Sequence, residues 1–275
     1  EGPGNPTLLR LIFRSSRSFT FIIVFGLVFS VRSYRRPIGM LVRHDFSILT
    51  NSKRLSLVLT AFCSFIIMRS SMNNTVLILN GSCKFFNRGG SLNNAFSKIA
   101  VQELQGYGLN VMETKMASYK SVNEEVEKIL RADVIILQSA VWAMGMPWPV
   151  KKYVDEVMTQ PEVCGTDGRT RELPDKTYGS GGVLKNKHYL ISTTWNAPEK
   201  AFTQPAEFFS GLGVDAVLTP WHKQFQYMGL GLRKLPDFCC FDVYKNPQIE
   251  RDFISFKKHL NLYIKPLFVN HRDNL

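Results

Sequence analysis

The chain has 275 residues, enough for one large domain or two small ones, and its 45% hydrophobic and 20% charged residues are typical of a globular protein. The net charge of +12 is uneven: residues 1–71 hold ten basic and two acidic side chains, which leaves 24 basic and 20 acidic ones, a net +4, for residues 72–275. So small an excess suits an enzyme that binds phosphorylated cofactors and does not indicate a nucleic-acid-binding protein.

Residues 1–71 differ in character from the rest of the chain. They are basic and serine-rich, and their two apolar runs, Phe19–Val31 and Leu55–Met68, are shorter than the roughly 20 residues that span a bilayer. Three interpretations are open: a non-native extension upstream of a start at Met72, a signal peptide or short membrane anchor, and an organelle transit peptide. We expect this segment to lie outside the fold, and residues 72–275 to form a domain without membrane association.

From Met72 onward, apolar runs alternate with segments of helical pattern. The sequence predicts strands at 76–79, 110–114, 134–137, 189–193 and 214–218, and helices at 92–105, 122–131, 147–158, 198–210 and 249–263, the first capped by Ser91. This alternation indicates right-handed crossovers and an α/β doubly wound sheet of five parallel strands with helices on both faces. The segment 159–186 is too long for a simple connection, so we expect a functional excursion or a dimer arm.

The five cysteines give no sign of a metal site. Their number is odd, and neither a CxxC motif nor a Cys/His spacing typical of zinc occurs. We therefore expect no metal, and reduced thiols in a cytoplasmic protein.

Ligands of an open parallel sheet bind beyond the carboxyl ends of its strands, so three loops should converge there. The first places Gly89, Gly90 and Ser91 at a helix N-terminus, with Lys84 and Arg88 nearby. Free N–H groups and the helix dipole suit a phosphate, although such a run can also be a simple cap. Neither the dinucleotide-binding GxGxxG spacing nor a P-loop is present, which argues against a nicotinamide-binding Rossmann domain and against an NTPase.

The second and third loops differ in chemistry. Residues 140–148 contain two tryptophans and two methionines, which could line a flat aromatic cofactor or seal the core or a subunit interface. Residues 193–198 offer hydroxyl, amide and backbone N–H groups that could bind the polar edge of a flavin, or could only begin a helix. Tyr178 begins a glycine-rich lid or strap, and His222, placed after the last predicted strand, is either structural or a proton donor.

Taken together, residues from Met72 to about Leu262 resemble the bacterial "modulator of drug activity B" family, NAD(P)H:quinone oxidoreductases of the flavodoxin-like superfamily. The resemblance rests on several consecutive runs, most specifically Thr194-Trp-Asn-Ala-Pro, with Met146-Pro-Trp-Pro-Val-Lys-Lys-Tyr and Lys176-Thr-Tyr-Gly-Ser-Gly-Gly. It implies a flavodoxin-like sheet with strand order 2-1-3-4-5. One loop departs from the family: Ala140-Val-Trp-Ala stands where Pro-Gly-Trp-Trp is usual, which bears on substrate preference more than on cofactor binding.

The resemblance also implies a homodimer that binds FAD near the subunit interface. The residues that it places around FAD are Arg88, Gly89, Gly90, Ser91, Leu92, Asn93, Asn94 and Ala95 at the phosphates, and Val141, Trp142, Ala143, Met144, Thr194, Trp195, Asn196 and Ala197 at the isoalloxazine, with Tyr178 reaching the flavin from the excursion. Tyr178 or His222 would supply the quinol proton.

The expected function is two-electron, ping-pong hydride transfer from NADPH or NADH through FAD to a small-molecule quinone. Two alternatives remain open at this stage. One is an FMN-dependent azo- or nitro-reductase of the same fold. The other is a flavodoxin-like regulatory subunit of a membrane transporter, anchored through the apolar N-terminal segment.

Overall fold

The structure, a computed structural model, describes residues 19–24, 27–32, 74–85 and 89–269. The chain divides into two units, Glu1–Thr60 and Ala61–Leu275. In the first unit, strands β1 (Phe19–Val24) and β2 (Leu27–Arg32) form an antiparallel pair in which Val24 lies opposite Leu27. The predicted apolar run Leu55–Met68 lies outside the described residues. Within the described part of the chain, no helix is long and apolar enough to cross a membrane.

The second unit is built on a five-stranded, all-parallel sheet. Its strands are β3 (Thr75–Asn80), β4 (Asn110–Lys115), β5 (Val134–Ala140), β6 (His188–Thr194) and β7 (Phe238–Cys240). They follow the order β4-β3-β5-β6-β7, which is 2-1-3-4-5 when counted within this sheet, and every neighbouring pair is parallel. The predicted doubly wound fold is therefore confirmed.

Helices cover both faces of this sheet. They are α1 (Ser91–Gly106), α2 (Val122–Arg131), α3 (Trp148–Glu156), α4 (Pro161–Cys164), α5 (Lys200–Thr203), α6 (Val214–Tyr227), α7 (Ile249–Tyr263) and α8 (Lys265–Val269). Side chains of β3 alternate between the two faces: Leu77 and Leu79 pack with α2, α3 and α6, whereas Val76 and Ile78 pack with α1 and α7. This double burial explains the uninterrupted apolar run of the strand.

The predicted strand at 214–218 is wrong, because these residues begin helix α6. The apolar residues of this segment recur at helical spacing and pack together on the core side: Val214, Val217, Leu218, Trp221 and Phe225. This helical period outweighs the strand preference of the two valines. The fifth strand is instead Phe238–Cys240, which pairs with the last three residues of β6.

Two helix predictions also need correction. The predicted helix at 198–210 is confined to Lys200–Thr203, because Gln204 precedes Pro205 and is extended, with φ −98° and ψ 130°. Ser91 is the first residue of α1 rather than its cap; the capping position belongs to Gly90, and no side chain caps this helix.

Candidate functional site

The three predicted loops meet at the carboxyl edge of the sheet. Strand β3 ends with Asn80 beside Gln138 of β5, and β5 ends with Ala140 beside Thr194 of β6. Two backbone bonds continue this alignment beyond the strands: the Gly81 N–H donates to the Gln138 carbonyl at 2.8 Å, and the Val141 N–H donates to the Thr194 carbonyl at 3.1 Å. The loops therefore leave the sheet side by side, as the sequence predicted.

The first loop delivers an open helix N-terminus to this edge. Gly89 and Gly90 both have left-handed backbones, with φ of +88° and +84°, and a Cβ on Gly90 would lie 2.8 Å from the Cys83 carbonyl oxygen. Only glycine satisfies both constraints at Gly90. Among the described residues, no side chain caps α1 and its first turn holds no acidic residue, so the positive end of its dipole suits an anion.

A buried amide network fixes α1 against the two central strands. Asn93 is 4% exposed; it donates to the Thr194 hydroxyl at 3.0 Å and accepts from Gln138 at 2.8 Å. The same helix is tied to β3 through Asn94, whose amide oxygen accepts from Asn80 at 2.9 Å. The Asn93 side chain thus points into the protein, so it positions the helix and leaves anion contacts to the backbone.

The second loop is a tight turn with strained backbone. Trp142 and Gly145 exchange both backbone hydrogen bonds, at 2.7 and 2.9 Å, and the two residues between them, Ala143 and Met144, have φ of +45° and +64°. Two left-handed residues in sequence define a type I′ turn, a conformation that normally selects Asn or Gly. Met144 is 58% exposed at the tip.

Aromatic rings join the second loop to the first. The Trp142 ring packs edge-on against Phe85 with 5.7 Å between centroids, and it lies 3.9 Å from the position of a Cβ on Gly89. Phe85 is itself 53% exposed. An apolar wall therefore stands next to the anion-attracting helix end, an arrangement that suits an aromatic cofactor with a phosphate tail.

The third loop is held by buried contacts of Trp195. Its indole N–H donates to the Thr193 hydroxyl at 2.8 Å, its backbone N–H donates to the Cys240 carbonyl at 2.8 Å, and its ring packs against Phe202. Trp195 is 3% exposed, so its ring belongs to the core. Asn196 is the exposed residue of this loop, and Ala197 is half-buried beside it.

The structure does not bring the two candidate proton donors to this edge within one chain. Tyr178 contacts Arg169 and Tyr227. Tyr227 is the last residue of α6, and the next residue, Met228, accepts a hydrogen bond from Leu184, shortly before β6 begins. Tyr178 therefore lies near the amino end of β6. His222 lies inside α6 rather than after a strand, with its Nδ1 atom 3.2 Å from the hydroxyl of Tyr189. Tyr189 is the second residue of β6 and Thr194 the last, so about 16 Å of strand separates them.

Most of the other predicted cofactor residues do gather at the carboxyl edge. Arg88 lies outside the described residues. Within the described part, the edge includes Gly89, Gly90, Ser91, Leu92, Asn93, Asn94, Ala95, Val141, Trp142, Ala143, Met144, Thr194, Trp195, Asn196 and Ala197. Sequence reasoning missed Asn80 and Gln138, which link α1 to the strands. The sequence did contain a sign of them, because each is a polar residue that directly follows a run of four or more apolar residues in a buried strand.

Titratable groups contribute little to this edge. Burial raises the pKa of the Cys83 thiol in the first loop, and burial raises the pKa of Cys239, beside Thr193, to about 11. Cys83, Cys164, Cys239 and Cys240 are all free thiols. The second and third loops offer neutral amides, hydroxyls and backbone N–H groups, which bind and orient a ligand but do not transfer protons readily at neutral pH. The charged side chains near this edge include Lys84, exposed in the first loop, and Glu113, whose carboxylate accepts from Asn80 at 2.8 Å.

Comparisons with known proteins place the chain in a family. The Flavodoxin_2 model, described as a flavodoxin-like fold, matches residues 74–258. NADPH:quinone oxidoreductase MdaB of Haemophilus influenzae is 41% identical over 187 residues, which cover 67% of this chain and 96% of that protein. An uncharacterized protein of Schizosaccharomyces pombe is 42% identical over 188 residues, 68% of this chain and 95% of its own length. The crystal structure of a putative quinone reductase from Klebsiella pneumoniae shares the fold, with a TM-score of 0.56, 19% identity, and coverage of 68% of this chain and 83% of that one.

Proposed function

The chain belongs to the Flavodoxin_2 family and resembles the modulator of drug activity B proteins within it, and we propose that residues 72–275 form a cytoplasmic, FAD-dependent NAD(P)H:quinone oxidoreductase. The observation that carries this proposal is the uncapped glycine N-terminus of α1, which lies beside the Trp142 wall at the carboxyl edge. The 41% identity to a protein named NADPH:quinone oxidoreductase, over nearly the whole of that protein, supports the reaction class.

The residues at the edge fit a flavin nucleotide. A Cβ at Gly90 would collide with the Cys83 backbone and displace the first turn of α1, whose N–H groups suit a diphosphate. Trp142 and Met144 would flank the ring system, while the backbone and side chain of Asn196 would bind its polar edge. Buried hydrogen bonds of Asn93 and Trp195 fix the first turn of α1 and the third loop in position.

Bound flavin would supply the hydride chemistry, and the chain would supply position. The α1 N-terminus would bind phosphates, the Trp142 turn would exclude water from one side, and N–H donors of residues 194–197 would stabilise negative charge at the polar edge. Substrate and donor would occupy the same place in turn, which gives two-electron, ping-pong kinetics. This proposal assigns no role to His222, which lies away from the edge.

Tyr178 enters the proposal only through a second copy of the chain. Its ring is 67% exposed but lies away from the carboxyl edge of its own sheet, so the contact that the family resemblance implies requires a homodimer. We propose such a homodimer, with the 159–186 excursion as the segment that presents Tyr178 to the partner subunit. Sedimentation of the flavin-loaded protein at twice the chain mass would support it.

The test is to purify the full chain, record its visible spectrum, and identify the cofactor released by acid through chromatography. We expect flavin absorption, FAD as the released species, bleaching by NADPH and recovery on addition of a quinone. Parallel double-reciprocal plots would support the ping-pong order. Release of FMN would contradict FAD as the cofactor and would favour an azo- or nitro-reductase. A colourless protein that does not take up added flavin would overturn the oxidoreductase and leave the transporter-subunit alternative.

A further inference from the structure

A second group of functional side chains lies on helix α6, away from the carboxyl edge. Asp215 and His222 are seven residues apart, two helical turns, and therefore share one face of α6. Asp237, which directly precedes β7, and Lys234 approach this face from the following segment. The cluster borders a cavity of about 280 Å³ that Tyr189, Thr219 and Lys223 also line.

The spacing of three atoms in this cluster matches a tetrahedral metal site. His222 Nε2 lies 3.2 Å from Asp237 Oδ2 and 3.5 Å from Asp215 Oδ1, and one ligand atom from each residue falls within 4.8 Å of the others. Metal–ligand bonds of about 2.0–2.1 Å give a tetrahedron with edges of roughly 3.3 Å. The two distances from Nε2 lie on either side of that value.

Two of these atoms are largely buried and face each other without a hydrogen bond between them. The Asp237 side chain is 8% exposed and that of His222 is 14% exposed; within the described residues, Asp237 Oδ2 is ion-paired with the Lys234 ammonium, whereas His222 Nε2 has no hydrogen-bond partner. They face each other at 3.2 Å without being aligned as donor and acceptor. A buried imidazole nitrogen without a hydrogen-bond partner is rare in folded proteins, and a cation held between it and the two carboxylates would satisfy it.

The remaining atoms of the same groups already have the contacts that support metal ligands. Asp237 Oδ1 accepts the Ile191 N–H at 2.9 Å, which fixes the carboxylate. His222 Nδ1 lies 3.2 Å from the Tyr189 hydroxyl, which can accept an Nδ1–H and so direct the Nε2 lone pair into the cluster. Such outer contacts orient ligands and set the tautomer of a metal-bound imidazole.

The positive charge beside the two carboxylates comes from Lys234. Its ammonium lies 2.8 Å from Asp215 Oδ2 and 3.0 Å from Asp237 Oδ2. The lysine side chain is 30% exposed, so it can turn to solvent when another cation enters. One ammonium offsets only one of the two carboxylates, whereas a divalent ion offsets both.

We propose that Asp215, His222 and Asp237 bind a divalent transition-metal ion, with Zn²⁺ as the best match, and that the metal displaces Lys234. The imidazole ligand favours such ions over Mg²⁺ and Ca²⁺, which select oxygen. Water from the cavity completes the coordination. The bound metal ties α6 to the segment that enters the edge strand β7 and so stabilises this side of the sheet.

Isothermal titration of the chelator-treated full chain with ZnCl₂, and separately with MgCl₂, tests the site. His44, Cys63 and His271 lie outside the described residues, so the site is identified by the difference between variants and wild type. We expect Asp215→Asn and His222→Gln each to bind one zinc ion fewer per chain. Asp215 is 66% exposed, so its substitution leaves the fold intact. At a zinc concentration one hundred times Kd, the Tm of the wild type should rise by roughly 5–10 °C.

Two lysines of the same cavity give a matched comparison. Lys234→Met removes the competing ammonium and should tighten zinc binding at least tenfold. Lys223→Met changes the net charge equally, but Lys223 contacts Gln226 and not the two carboxylates, so zinc binding should stay as in the wild type. Wild-type zinc binding in both Asp215→Asn and His222→Gln, equal effects of the two lysine variants, or equal affinity for magnesium would each overturn the proposal.

Discussion

Replacing Gly90 with alanine probes the open end of α1 directly. At φ +84°, an L-residue costs about 1–2 kcal/mol relative to glycine. The added Cβ would also lie 2.8 Å from the oxygen and 3.2 Å from the carbon of the Cys83 carbonyl, which is backbone and has no rotamer to escape into. Either α1 or the first loop must shift, so we expect a lower Tm, by roughly 2–8 °C for this domain.

The same shift should weaken flavin binding, because the N–H groups of α1 move away from the phosphates. Loss of one hydrogen bond to a charged group costs about 1.5–3 kcal/mol, so the flavin Kd should rise about 10- to 100-fold. The assay is flavin fluorescence quenching on titration of apoprotein, with Tm measured on the same samples.

Gly106→Ala, in the last position of the same helix, is the control for Gly90→Ala. Nothing lies within 4 Å of its added Cβ, and its substitution should leave the flavin Kd unchanged and stabilise the helix by about 0.5–1 kcal/mol. A Gly90→Ala protein with a lowered Tm but wild-type flavin Kd would refute the reasoning, because the glycine would then serve the fold alone.

Three further predictions concern the support of the site and the response to pH. Asn93→Leu leaves the side chains of Gln138 and Thr194 buried without their partner and should lower the free energy of unfolding by about 1–3 kcal/mol per group, measured by urea denaturation. Ala143→Gly relieves a left-handed alanine and should raise Tm by roughly 2–8 °C; an unchanged Tm would show that the turn is not strained. Burial lowers the pKa of His188 to about 4, so below pH 6.5 the unfolded chain takes up a proton that the folded chain excludes. Stability should therefore fall between pH 6.5 and 4, by about 1–2 kcal/mol after allowance for partial exposure, and His188→Gln should abolish that part of the profile.

The central strands could be predicted because a short stretch of sequence is enough to identify them. A run such as Val76–Leu79 is apolar at every position, which only burial on both faces explains, and the structure confirms it. The edge strand β7 has three residues and follows Pro236, so it lacks a comparable pattern. Its place in the sheet depends on pairing with β6, a contact between residues about 46 positions apart that no local propensity encodes.

Loop composition predicted which loops meet at the carboxyl edge, but not the direction of their side chains. Glycines, tryptophans and a Thr-Trp-Asn run at strand ends were enough to identify the edge. Asn93 and Trp195 were predicted to contact the cofactor, and their side chains are buried in hydrogen bonds to β5 and β6, which leaves such contacts to their backbone. Direction of a side chain is set by tertiary packing, so the sequence could supply residue type and position only.

Charged and neutral polar groups lie in different parts of this unit. At the carboxyl edge, the second and third loops present neutral donors and acceptors held by buried bonds, which suits hydride transfer because that reaction depends on geometry more than on proton exchange. The Asp215, His222 and Asp237 cluster lies toward the other half of β6, where His222 contacts Tyr189, the second residue of that strand. Because β7 begins beside the charged cluster and ends with the Cys240 carbonyl that fixes Trp195, this three-residue strand physically joins the two places.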